Sequence, residues 1–285
     1  MDDRLRPIWD FDDLDATERR FAALLDAEES GDGCAEILTQ LARIEGLRGD
    51  FRAGDGRLDD AVALEPTRSA AVARIDLERG RLRRSSGDPA SALPLFVSAF
   101  TIAVEGGCYF LAADAAHMAG LAAPDGHGFE EWTKRGIQLA EQSDAAAFWL
   151  GPLLNNLGWH YFEDGRVDLA LDAFERALRA RERRPEDSAA IAIARFAVGK
   201  ALRALGRSSE AVPLLEQAVA WAEQSRAPDG WFHEELAEEY AAVGRAADAR
   251  EQALLAIPLL EAADPSFAED VERSLRLREL AAPSA

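Results

Sequence analysis

The sequence is short of several things that usually define a protein. Its 285 residues include two cysteines, Cys34 and Cys108, far apart and with no CxxC between them. That excludes a disulfide framework and a cysteine zinc site, and leaves two reduced thiols as the reading. Two methionines cannot build a soft metal site. The start, Met1-Asp2-Asp3-Arg4, has no apolar stretch behind a basic one, and no apolar run reaches the ~18 residues of a membrane span. A cytoplasmic protein is expected. Val, Ile, Thr and Tyr are scarce, while the strong helix formers Ala, Leu, Arg and Glu are abundant. An all-α chain is therefore expected.

Positive charge is the other shortage. Lys and Arg together number 32 against 52 Asp and Glu, for a formal net charge of −20. A nucleic-acid binder needs a basic footprint, and so does a surface that adheres to anionic lipid, so both are excluded as partners. The excess is uneven. Residues 1–32 and 251–285 hold 11 of the 20 surplus charges.

What the chain does have is a recurring glycine. Leu47-Arg48-Gly49, Ser86-Gly87-Asp88, Asp164-Gly165-Arg166, Leu205-Gly206-Arg207 and Val243-Gly244-Arg245 are spaced by 38, 78, 41 and 38 residues. The double gap holds Pro124-Asp125-Gly126-His127-Gly128, where a sixth, divergent turn fits. Each glycine follows an apolar helical pattern and precedes another. Glycine supplies the left-handed conformation that ends a helix, and Asp88-Pro89 reads as an N-cap with proline in the first turn. Each unit is a helix–turn–helix hairpin.

The clearest copy is Leu154-x2-Leu157-Gly158-x2-Tyr161, followed by Ala170-x3-Phe174 and Ala177. Here the sequence resembles the tetratricopeptide repeat (TPR) family. Val198-Gly199, Leu202, Ala211, Leu215 and Ala218 follow the same register, as do Leu236-Ala237, Tyr240, Ala249, Ala253 and Ala256, and upstream Gly80, Ala92, Phe96 and Ala99. The period exceeds the family's 34 residues, and in this the chain resembles the long-repeat bacterial type, with its peptide receptors and regulatory arrays. The resemblance implies an all-α, right-handed α-α superhelix of about six hairpins. Residues 1–33 are expected as an acidic lead and capping helix, 34–263 as the repeats, and 264–285 as a C-terminal capping helix and tail. Trp9 and Phe11, in an extended acidic lead, are expected to dock on the first hairpin. The last helix is expected over 266–280, and the one before Gly165 over 145–163.

No catalytic constellation holds. His233-Glu234-Glu235-Leu236-Ala237 begins like HExxH but lacks the second histidine, and there is no GxSxG, P-loop or GxGxxG. No enzymatic activity, cofactor or metal is expected. In the family the first helix of each hairpin lines a groove. That resemblance places Arg74, Arg81 and Arg84 in the groove from the second repeat, and Asp114 and His117 from the third. The fourth contributes Asn155, Asn156 and Trp159, the fifth Phe196, Lys200 and Arg203, and the sixth Trp231, Glu234, Glu235 and Glu238. Amides, aromatics and guanidinium groups suit an extended peptide. Each has a structural alternative: the arginines could pair with Asp76 and Glu78, and the tryptophans could pack between hairpins. The carboxylate clamp of some TPR domains is not supported, because Ile193 and Ala197 stand where it needs cations.

The expectation is a protein- or peptide-binding scaffold or adaptor whose groove concentrates the bases of an acidic chain. Its partner would then carry an acidic or C-terminal carboxylate segment. A regulatory sensor array for a small molecule or signalling peptide is the alternative, and an unrecognised enzyme around Asp114, His117 or the Glu234–Glu238 cluster is a third reading. The oligomeric state is left open.

Overall fold

A computed structural model of the chain describes residues 3–283. Fourteen α-helices follow one another, with no strand among the described residues. Helix α1 (Leu14–Ala27) precedes the hairpin pairs α2 (Gly31–Leu47) with α3 (Phe51–Ala63), α4 (Ser69–Ser85) with α5 (Pro89–Glu105), and α6 (Tyr109–Ala122) with α7 (Gly126–Gln142). Then come α8 (Leu150–Glu163) with α9 (Val167–Glu182), α10 (Ser188–Ala204) with α11 (Ser208–Gln224), and α12 (Gly230–Ala242) with α13 (Ala246–Ala263). The last helix is α14 (Val271–Ala281). None is long and apolar enough to cross a membrane.

The turns explain the repeat. Gly49, Gly87, Gly165, Gly206 and Gly244 have φ between 70° and 92° and close five of the six hairpins. At Gly87 the N–H of Asp88 returns to the Arg83 carbonyl (2.9 Å), and the Asp88 side chain then caps α5 through the Ser91 N–H (3.0 Å). The third hairpin turns at Ala123-Pro124-Asp125 without a left-handed residue; Asp125 caps α7 through the Gly128 N–H at 2.8 Å.

Packing inside a hairpin depends on a missing side chain. A Cβ on Gly158 would stand 2.4 Å from the Phe174 ring, one on Gly80 2.5 Å from Phe96, and one on Gly199 2.7 Å from Leu215. The paired helices approach until the second helix's large side chain rests on the first helix's backbone.

The chain divides into two compact units between Leu153 and Leu154, within α8. Nothing in the repeat pattern marks this division. In the N-terminal unit, Leu77, Phe96, Phe110 and Leu111 lie in one buried cluster, and Leu5, Phe21, Ile37 and Ile44 in another. In the C-terminal unit Leu260, Phe267 and Leu277 join α13 to α14.

Three local expectations are corrected. The lead is not extended throughout: Arg6–Ile8 form a 3-10 turn around Pro7. Residues Asp144–Trp149 are also 3-10, and α8 begins only at Leu150, because Pro152 lacks an N–H and is tolerated only in a first turn. Helix α14 begins at Val271, not at 266. The segment after Pro265 turns to bury Phe267, and Asp270 becomes the cap, accepting from the Arg273 N–H at 3.1 Å.

Candidate functional site

In the C-terminal unit the first helices of successive hairpins stand side by side, and α14 takes the place the next one would have. A cleft of about 410 Å³ runs over them, lined by Trp159 from α8, Phe196, Lys200 and Arg203 from α10, Trp231, Glu234, Glu235 and Glu238 from α12, and Arg273 and Arg276 from α14. Local sequence sets this register. Asp187 caps α10 through the Ala190 N–H (3.4 Å), and Asp229 caps α12 through the N–H groups of Trp231 (2.9 Å) and Phe232 (3.1 Å). Residues 231, 234, 235 and 238 then share one helical face.

The aromatic part is half packed and half open. Trp159 meets the Phe174 ring edge-on at 5.0 Å and reaches Phe196 at 6.5 Å; Phe196 in turn packs on Phe232 at 5.1 Å. Trp231 remains 38% exposed. Lys200 Nζ lies 5.7 Å from the centre of the Phe196 ring.

Every cation of the cleft is paired, and Glu235 serves two of them. Glu235 accepts from Lys200 Nζ at 3.0 Å and from Arg203; Arg273 forks onto both oxygens of Glu234 (2.6 Å each) and reaches Asp264 (2.8 Å); Arg276 bonds Glu238. Burial opposes the charge of Arg203, but Glu235 outweighs it and raises the guanidinium above its ordinary value. The bonds to Glu234, and then that to Asp264, likewise raise Arg273. Beneath them Glu239 is fully buried, with Arg203 Nε 3.9 Å from it, and burial pushes its carboxyl up. The bases gathered in this cleft are thus paired and not free. Four cations line this cleft, and each is held by a glutamate of the neighbouring first helix.

The N-terminal unit treats its share of the expected residues differently. Arg74 is 4% exposed and bonds Asp3, with Glu36 at 3.4 Å. Arg81 bridges Glu78 (2.5 Å) and Asp114. Burial pushes the Asp114 carboxyl up, but the charges of Arg81 and Arg43 hold it below its usual range. Arg84 donates to the Leu121 carbonyl at 3.2 Å. His117 lies 5.4 Å from the Trp149 ring, and burial lowers it. These five form internal ties rather than an open surface. Asn155 and Asn156 are half-buried on α8 and are not among the residues lining the cleft. His233 is fixed by Gln252 at 2.7 Å.

Arg273 and Arg276 fall outside the residues that the repeat register nominates, because the last helix reads from sequence as a polar cap. A signal was there. Continuing the repeat spacing from Glu234 and Glu238 lands on Arg273 and one residue beyond Arg276.

The helical hairpins and their register define an α-helical repeat array. Residues 149–224 match the tetratricopeptide repeat family, and the hairpins on either side of them repeat the same helical architecture. No curated protein sequence matches it. Among solved structures it is similar to the apo form of RapI, at 13% identity and a TM-score of 0.72, over 94% of this chain and 76% of that one. It is also similar to BtubC from P. vanneervenii, at 20% identity and 0.60, over 80% and 94%. A third likeness is to a chain of the APC/C hetero-tetramer Cut9–Hcn1, at 13% and 0.59, over 92% of this chain but only 46% of that one. At these identities the likeness is one of fold.

Proposed function

We propose that the chain is a protein- or peptide-binding scaffold, and that the cleft over α8, α10, α12 and α14 is a working surface. The observation that carries this reading is the cleft's composition. Trp159, Phe196 and Trp231 offer apolar faces, framed by four cations and three carboxylates on four successive helices. The ligand that suits it is an extended segment with an aromatic or aliphatic anchor between charged groups. Because every cation already has a glutamate, an incoming carboxylate has to compete with one, and a Glu234 or Glu238 displaced in this way has to find a cation on the ligand. Charge then selects among ligands more than it adds affinity. Use of the same fold in the Cut9–Hcn1 assembly fits a protein partner.

The test is selection of binders from a displayed peptide library on the full chain, followed by affinity measurement. Trp231→Ala, whose ring is not part of the core, should weaken cleft binders by about 10–100-fold, the usual effect of removing an aromatic anchor. Arg203→Ala should also weaken them. Binders that keep full affinity for both variants would sink the proposal.

A further inference from the structure

In the N-terminal unit the first helices α2, α4 and α6 also stand side by side, and the chain's own lead lies across them. Asp3 bonds Arg74 of α4, and its side chain is only 9% exposed. Leu5 is 1% exposed, in one cluster with Ile37, Leu41, Ala71 and Ile75 of α2 and α4. The Arg6 guanidinium sits 3.5 Å over the Phe148 ring and 5.6 Å from that of Phe110 on α6. Trp9 Nε1 donates to Gln40 of α2 at 2.9 Å, and Arg43 of α2 lies over the rings of Trp9 and Phe11 at 5.2 and 5.5 Å.

These are the contacts a bound peptide would make. They come from a short segment of no regular secondary structure beyond one 3-10 turn. They fall on the first helices of all three hairpins of the unit. They also alternate in kind along the segment: carboxylate on arginine, aliphatic side chain in an apolar pocket, cation on aromatic rings, indole on an amide. A terminal cap needs only to cover the outer face of the first hairpin, and α1 already packs there. A segment that reaches α6 goes beyond that task.

We propose that residues 3–11 are a displaceable intramolecular ligand of this face of α2, α4 and α6. Released, the face accepts in trans a peptide of the same order: carboxylate, one residue, aliphatic, cation, two residues, aromatic. The lead keeps this second surface closed until it is displaced.

The test uses the full chain and a fluorescein-labelled, N-acetylated peptide of residues 3–13, read by fluorescence anisotropy. Leu5→Asp in the chain removes the lead's buried anchor, and the lead swings into water. This variant should bind the peptide at least about 10-fold more tightly than the natural chain, in which the tethered lead competes. Adding Arg74→Met to Leu5→Asp should take that gain away. The helical circular-dichroism transition of Leu5→Asp should stay cooperative. Equal affinities for the natural chain and Leu5→Asp would overturn the proposal. So would loss of the cooperative transition in Leu5→Asp, because the lead would then be part of the fold and not a ligand of it.

Discussion

A single hydrogen atom decides how closely two helices of a hairpin approach. At Gly158 a Cβ would collide with Phe174, a fully buried ring with no room to retreat. Gly158→Ala should cost about 1–3 kcal/mol, the usual range for overpacking, measured as a shift in urea midpoint with unchanged slope. Glu239 gives a second prediction at this scale. Its buried carboxyl holds a proton more tightly in the folded state than the reference value of 4.5. The folded state is therefore favoured at acid pH and loses stability as pH rises through that value and beyond. Glu239→Gln should stabilise the protein at pH 7 by on the order of 1 kcal/mol, a Tm rise of about 2–4 °C. The gain should vanish below pH ~4. A Tm difference that is flat with pH would count against a penalised carboxylate.

Between elements, ion pairs occupy side chains that the repeat register offers to a ligand. Arg81 and Asp114 join α4 to α6 with both side chains largely buried, and the depressed Asp114 carboxyl contributes stability above pH ~4 that is lost as pH falls through its folded value. Asp114→Asn should cost about 3–5 kcal/mol, since it leaves Arg81 buried without its strongest partner. The apolar double variant Arg81→Met/Asp114→Leu should cost less than that single change, by denaturant titration. The helices themselves were largely legible in the sequence, because caps and left-handed glycines are local signals: Asp88-Pro89 opens α5 and Gly87 closes α4 as read. The start of α14 was not legible. Its true cap, Asp270, competes with Asp264-Pro265 only once Phe267 has a core to enter, and that core is made by α13.

For the whole molecule, the charge of −20 sets a global repulsion on top of these matched pairs. Raising sodium chloride from about 10 mM to about 150 mM shortens the Debye length to ~8 Å and should raise Tm by screening that repulsion; a fall would mean that exposed ion pairs dominate. The sequence by itself determined the class of the protein: all-helical hairpins of about 38–41 residues, with acidic ends. Those features depend on composition, period and turn chemistry within each repeat. It also put Trp159, Phe196, Lys200, Arg203, Trp231, Glu234, Glu235 and Glu238 on one face of successive first helices, because the face follows from register alone, and these eight line the cleft. Only the tertiary structure decided which of the candidates stay open. Arg74 meets Asp3 across 71 residues and Arg273 meets Glu234 across 39. A charge is spent or available according to what packs opposite it, and that neighbour is set by the stacking of hairpins, not by the residues beside it in the chain.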